Sequence, residues 1–150
     1  MTLRVSTGLV NGLLSTGSFK SLIEGGSGFL IDIYSGSRPN TPDLAATGTK
    51  LLTLSISGGG SGMHLAAAAA SGAIDKLSSE TWQGTGIANG TAGYYRLRLT
   101  ADSGTSDSTS AVRIDGTVAT SGADMNLTST VVAVGAPFIV SSVSFSLPNL

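Results

Sequence analysis

Apolar and polar residues alternate most regularly between Thr91 and Ala119. Tyr95, Leu97 and Leu99 interleave with Arg96, Arg98 and Thr100, and Val112, Ile114 and Val118 interleave with Arg113, Asp115 and Thr117. A period of two sends one set of side chains to each face of a strand. The intervening ADSGTSDSTS has no apolar residue after Ala101. The pattern predicts a long antiparallel hairpin with one buried and one solvated face. Arg96, Arg98, Arg113 and Asp115 would lie on the solvated face.

Shorter runs extend this reading. Gly28–Tyr34 (GFLIDIY) predicts a strand with Phe29, Ile31 and Ile33 on one side and Leu30, Asp32 and Tyr34 on the other. Lys50–Ser57 predicts a second, after a loop that holds Pro39 and Pro42. Met63–Ala73 contains the run Ala66–Ala70 and is open between helix and strand. Alanine favours helix, but the bracketing Gly62 and Gly72 leave little length for one, so strand is preferred. Further strands are expected near Gly72–Leu77, Met125–Leu127, Val131–Val134 and Phe138–Leu147. At the N-terminal end, Leu9 and Leu13, like Val10 and Leu14, are spaced four apart. Ser18 is placed to cap a short helix over Phe19–Glu24 that Gly25-Gly26 ends. The alternative is an extended arm lying on a neighbouring subunit. About eight evenly spaced strands with Gly-rich connections predict an all-β fold, a jelly-roll-like sandwich or barrel. Residues 1–27 would form the helical or extended arm and residues 28–150 the β-sandwich, within a single domain.

Composition sharpens the picture. Charged residues make up 11% of the 150 residues, against about 25% in ordinary soluble domains. Such a bland surface suits one that other subunits cover. The net charge of −1 shows no basic patch for nucleic acid. With no cysteine, disulfides and thiolate metal sites are excluded. The first residues, MTLRVSTGLVNGLLSTG, do not form a secretory signal, and no apolar run is long enough to span a bilayer as a helix.

Candidate chemistry is sparse. His64 is the only histidine, with no nameable nucleophile or orienting acid, and reads as a core-edge or interface residue. Asp102–Asp107 (DSGTSD) has too few acids for a tight calcium loop. Gly58–Gly62 and Gly84-Thr85-Gly86 lack the Lys-Ser/Thr that completes a phosphate loop. Asp32, Asp75, Glu80, Asp115 and Asp124 are scattered, and few aromatics are available to line a sugar cleft. Trp82 reads as a core or interface anchor. Arg96 and Arg98 read as solvated, as paired with Asp115 across the hairpin, or as contacts for an acidic partner. No catalytic residue, cofactor or metal site is expected, and the chain is not read as an enzyme.

The order of short motifs resembles a family of small structural proteins of tailed bacteriophages and prophages. These motifs are STGLVNGLLSTGSFKSLIEGG, IDIYSGSRPNTPD, GTKLLTLS, ETWQGTGIANGTAGYYRLR, VRIDGTVATSGADMNL and a terminal SFSLP, from about Ser6 to Pro148. The resemblance implies a virion component on the capsid surface, made in the host cytoplasm: a cement or decoration protein without enzymatic activity. It carries over no functional residues. The partners expected are the major capsid protein and further copies of this chain, as a dimer or trimer; no nucleic acid and no membrane is expected. Leu9, Leu13, Phe19, Arg38, Trp82, Arg96 and Arg98 are the interface candidates. The segment before Gly28 and the loops Arg38–Asp43 and Asp102–Ser110 are the expected contact regions, so that deleting Met1–Ser18 would weaken shell binding and leave the β fold. The alternatives are a tail, neck or fibre-base protein of the same virion, and a carbohydrate-binding β-sandwich that uses Trp82, Tyr94 or Tyr95.

Overall fold

The fold comes from a computed structural model that describes residues 3–146. In chain order the elements are β1 (Arg4–Val5), α1 (Thr7–Ser15), α2 (Phe19–Glu24), β2 (Phe29–Ser35), β3 (Lys50–Ile56), β4 (Ala73–Asp75), β5 (Trp82–Thr85), β6 (Gly90–Leu99), β7 (Arg113–Ala119), β8 (Met125–Asn126), β9 (Val131–Val132), β10 (Pro137–Val140) and β11 (Ser144–Ser146). The protein is all-β with two short helices near its N-terminal end, as the alternation and the capping residues predict.

The expected hairpin is the middle of the main sheet. β6 and β7 pair antiparallel, with Arg96 opposite Asp115 and Leu97 opposite Ile114. Around them the strand order is β1-β7-β6-β2-β3-β5-β10, with β8 joining β7 in parallel and β9 joining β6; β4 and β11 form a separate pair. The expected single strand Phe138–Leu147 therefore breaks in two. β10 extends the main sheet, while β11 pairs with β4. Leu147 and the tail Pro148-Asn149-Leu150 lie outside the described residues.

One sheet face carries the apolar core. Phe29, Ile31, Ile33, Leu52, Leu54, Leu97 and Ile114 are buried on it, and Trp82 meets Phe29 edge-on with ring centroids 5.3 Å apart. Tyr95 packs on the same face because its opposite residue is Gly116. A Cβ there would sit 2.4 Å from the Tyr95 ring.

The N-terminal segment is part of this body rather than a detachable arm. β1 pairs with β7, Ser6 caps α1, and Leu9 is fully buried. Ser6 Oγ also donates to the Ala111 carbonyl and accepts from the Arg113 amide. α2 has the expected Ser18 cap, completed by Ser21 as a capping box, and Gly25 ends it in left-handed backbone. The Ala66–Ala70 run is neither a helix nor a continuous strand. Leu65 bridges Lys76 and Ala70 bridges Ala73 across a turn in which Ser71 and Gly72 both have positive φ, as a type I′ hairpin requires.

Candidate functional site

The second face of the sheet corrects the largest expectation. Arg96, Arg98, Arg113 and Asp115 are not solvated: their exposures are 0%, 8%, 1% and 0%. Strand register brings them together. Arg4, Asp115, Arg96 and Asp32 follow one another as cross-strand neighbours over β1, β7, β6 and β2, so charges of alternating sign form a row. Arg98 and Arg113 face each other in the next row. Arg96 grips Asp115 with two hydrogen bonds of 2.8 and 2.7 Å. Arg98 donates to both oxygens of Asp32, at 2.6 and 3.3 Å, and Thr53 adds a 2.6 Å bond to the same carboxylate. Arg113 grips Asp102 at 2.6 and 2.8 Å.

Two loops cover this face, and the arginines hold them there. The segment 36–49 offers the Leu44 carbonyl to Arg96, the Pro42 carbonyl to Arg113 and the Pro39 carbonyl to Arg4. The segment 100–112 offers the Gly104 carbonyl to Arg96, the Asp102 carbonyl to Arg98 and the Ser106 carbonyl to Arg113. The loops also bind each other, through Ala46 N–H to the Gly104 carbonyl and Ser108 N–H to the Asp43 carbonyl. A guanidinium has five donors in a fixed fork. One part of the fork meets a carboxylate and the rest meets loop carbonyls, which satisfies acceptors that the covering loops turn inward. Tyr34 and Tyr94 stack beside the network at 5.1 Å, and the Tyr94 hydroxyl exchanges hydrogen bonds with Thr47. At the far end, Arg38 donates to the Asp115 carbonyl and lies 3.8 Å from Asp124, whose Oδ1 is buried without a hydrogen-bond partner.

The electrostatics follow from this geometry. Burial works against the charge of Arg96, but the hydrogen bonds and charge of Asp115 outweigh it and hold the guanidinium above its ordinary pKa. Burial likewise opposes ionisation of Asp102, yet hydrogen bonds from Arg113 and the Gly104 amide keep its carboxyl below the usual range. Tyr34 and Tyr95 are pushed upward, first by burial and then by Asp32 and Asp124 respectively.

A second polar cluster lies at Glu80. Its carboxylate accepts from the His64 amide and the Trp82 indole, both at 2.9 Å, and its Oε1 lies 2.7 Å from His64 Nδ1. These bonds hold the Glu80 carboxyl below its ordinary pKa although burial opposes them. These bonds tie together the segments 63–65 and 76–82. Among the described residues no three His, Cys, Asp or Glu converge as a metal-binding group.

The interface candidates separate accordingly. Leu9, Trp82, Arg96 and Arg98 are buried and serve the chain's own interior. Arg38 is largely covered by the network. Leu13 is 39% exposed, and Phe19 is half-buried on the wall of an apolar groove. Trp82, Tyr94 and Tyr95, the rings that a glycan-binding surface would need, are all buried. The pattern had not singled out Ile87, Val131, Val134 and Ile139, which are 60%, 71%, 62% and 59% exposed. They lie where residues 131–140 run beside residues 82–91: β10 pairs with β5, β9 pairs with β6, and the Gly86 carbonyl accepts from Gly135 N–H. Only valine and isoleucine side chains left in water mark this strip, and that shows once the sheet is built. Compared with known protein families, curated proteins and solved structures, the chain matches none.

Proposed function

We propose that the chain is a structural component of a phage virion, a cement or decoration protein that lies across joints between major capsid proteins. The observation that carries this reading is where the charge goes. Five of the eight basic residues (Arg4, Arg38, Arg96, Arg98, Arg113) and four of the nine acidic residues (Asp32, Asp102, Asp115, Asp124) are drawn into the internal network, with Lys50 at its edge 3.8 Å from Asp32. The exterior keeps only scattered charges, among them Lys20, Asp75 and Asp107, amid Ser, Thr, Gly and Ala, with a strip of exposed aliphatic side chains at Ile87, Val131, Val134 and Ile139. Monomers normally keep charge outside for solubility. A sparsely charged surface with exposed aliphatics gains by being covered. The order of short motifs, which resembles that of phage structural proteins, is the reason for naming the shell lattice as that cover.

The test adds purified protein to empty shells that lack it. Saturable binding in hundreds of copies per particle supports the reading, with Val131→Asp and Ile139→Asp each weakening it about tenfold or more. Both side chains are exposed, so the variants should fold. A stoichiometry of a few copies would place the protein in the tail, neck or fibre base instead, and absence of binding would remove the reading. Deleting Met1–Ser18 is not a clean test, because β1, Ser6 and Leu9 belong to the folded body.

A further inference from the structure

α1 turns an apolar ridge to solvent. Val10, Leu13 and Leu14, at the i, i+3 and i+4 positions of one helical stripe, are 38%, 39% and 82% exposed. Leu9 alone supplies the buried contact of that helix. α1 carries no charged residue. Nearby the surface opens into an apolar groove of about 480 Å3, walled by Leu3, Val5, Phe19, Ala69, Ile74 and Phe145. Its one charged lining residue is Lys20, whose ammonium already engages Glu24 and the Leu65 carbonyl.

We infer that the groove receives the α1 ridge of a second copy of this chain. Size and charge both agree with that occupant. A cavity of about 150 Å3 lined by aliphatic and aromatic side chains accepts one benzene-sized group. The groove is therefore large enough for three branched aliphatic side chains, the number the ridge presents. Neither surface has a charge left to pair, so a charged partner would lose hydration without compensation. Leu3 and Val5 directly precede α1 and Phe19 follows it, so only a few residues of chain separate ridge from groove. A two-fold axis then seats each ridge in the other copy's groove, which is the commonest way for identical chains to close. An amphipathic helix laid into an apolar groove is an established recognition mode.

The experiment uses the purified full chain alone, with mass measured by sedimentation across the micromolar range. It is independent of the shell assay, whose variants lie on the Val131–Ile139 strip, so either proposal can fail without the other. The expected wild-type species is a dimer. Leu14→Asp, which disables the ridge, and Ala69→Glu, which disables the groove, should each weaken dimerisation at least tenfold, or roughly 1.4 kcal/mol. Both residues are exposed, and circular dichroism would verify that the variants fold. An equimolar mixture of the two variants retains one intact ridge and one intact groove and should recover part of the dimer. A wild-type monomer at high micromolar concentration, a dimer indifferent to Leu14→Asp, or a mixture that fails to rescue would overturn the inference. So would a monomer that dimerises only after removal of residues 147–150, because the chain's own C-terminal segment would then be the occupant.

Discussion

Arg96 shows how a single side chain decides the character of a whole face. It sits in a fully buried position, bonded to both oxygens of Asp115 and to the carbonyls of Leu44 and Gly104. Replacing Asp115 by Asn keeps the shape but leaves the guanidinium without its counter-charge. Loss of one partner from a buried pair costs about 3–5 kcal/mol, so Asp115→Asn should lose that much stability in a urea titration. The double variant Arg96→Met, Asp115→Leu should recover only part of the loss. It relieves the unpaired charge but strands the Leu44 carbonyl that Arg96 satisfies and leaves the Gly104 carbonyl with Ala46 N–H alone. Gly116 makes the opposite kind of demand, since only the absence of a side chain lets the Tyr95 ring lie across β7. Gly116→Val should unfold the β6–β7 region or displace that ring, visible as lost near-ultraviolet tyrosine circular dichroism.

At the scale of elements, the segments 36–49 and 100–112 are straps fastened by ionised side chains. Asp102 anchors one of them through Arg113, and Asp43 anchors the other through the amide and hydroxyl of Thr7. Opposed by burial but favoured by these hydrogen bonds, both carboxyls titrate below the usual range. The unfolded chain therefore binds protons first as pH falls. Stability from these groups is full above the ordinary carboxylate pKa and is lost as pH drops through the folded value. The melting temperature should fall between about pH 5 and pH 2, with amide exchange accelerating first at residues 100–112. Asp102→Asn should flatten part of that acid dependence. The legible elements were those with local causes: Ser18 and Gly25 bracket α2, and unbroken alternation marks β6 and β7. The straps were not legible, because alternation reports that one face is polar and not whether water or other polar groups meet it. Asp115 and Arg96 were readable as a cross-strand pair; Asp32 and Asp102, from distant segments, were not readable as their companions. The alanine run was ambiguous because its extended course depends on the turn at Ser71-Gly72 and on the Leu65–Lys76 bridge, which residue preferences do not encode.

For the whole molecule, an apolar layer lies on one side of a sheet and an ionic layer on the other, each closed off from solvent. Buried pairs are poorly screened by salt. Raising salt from about 0.05 to about 0.5 M should move the melting temperature by less than about 3 °C, and the shell binding proposed for Val131 and Ile139 should be equally indifferent. A strongly salt-weakened association would point instead to a charged contact. Trp82, the sole tryptophan, lies fully buried in the apolar layer, against Phe29 and with its indole bonded to Glu80. Nature has thus supplied a single optical gauge whose partners Phe29, Glu80 and Lys76 belong to neither strap. Its emission should redden when the sheet itself parts, and Glu80→Gln removes the one acid-titrating group bonded to the indole, so that the trace of that variant reports the sheet apart from the loosening of the ionic layer.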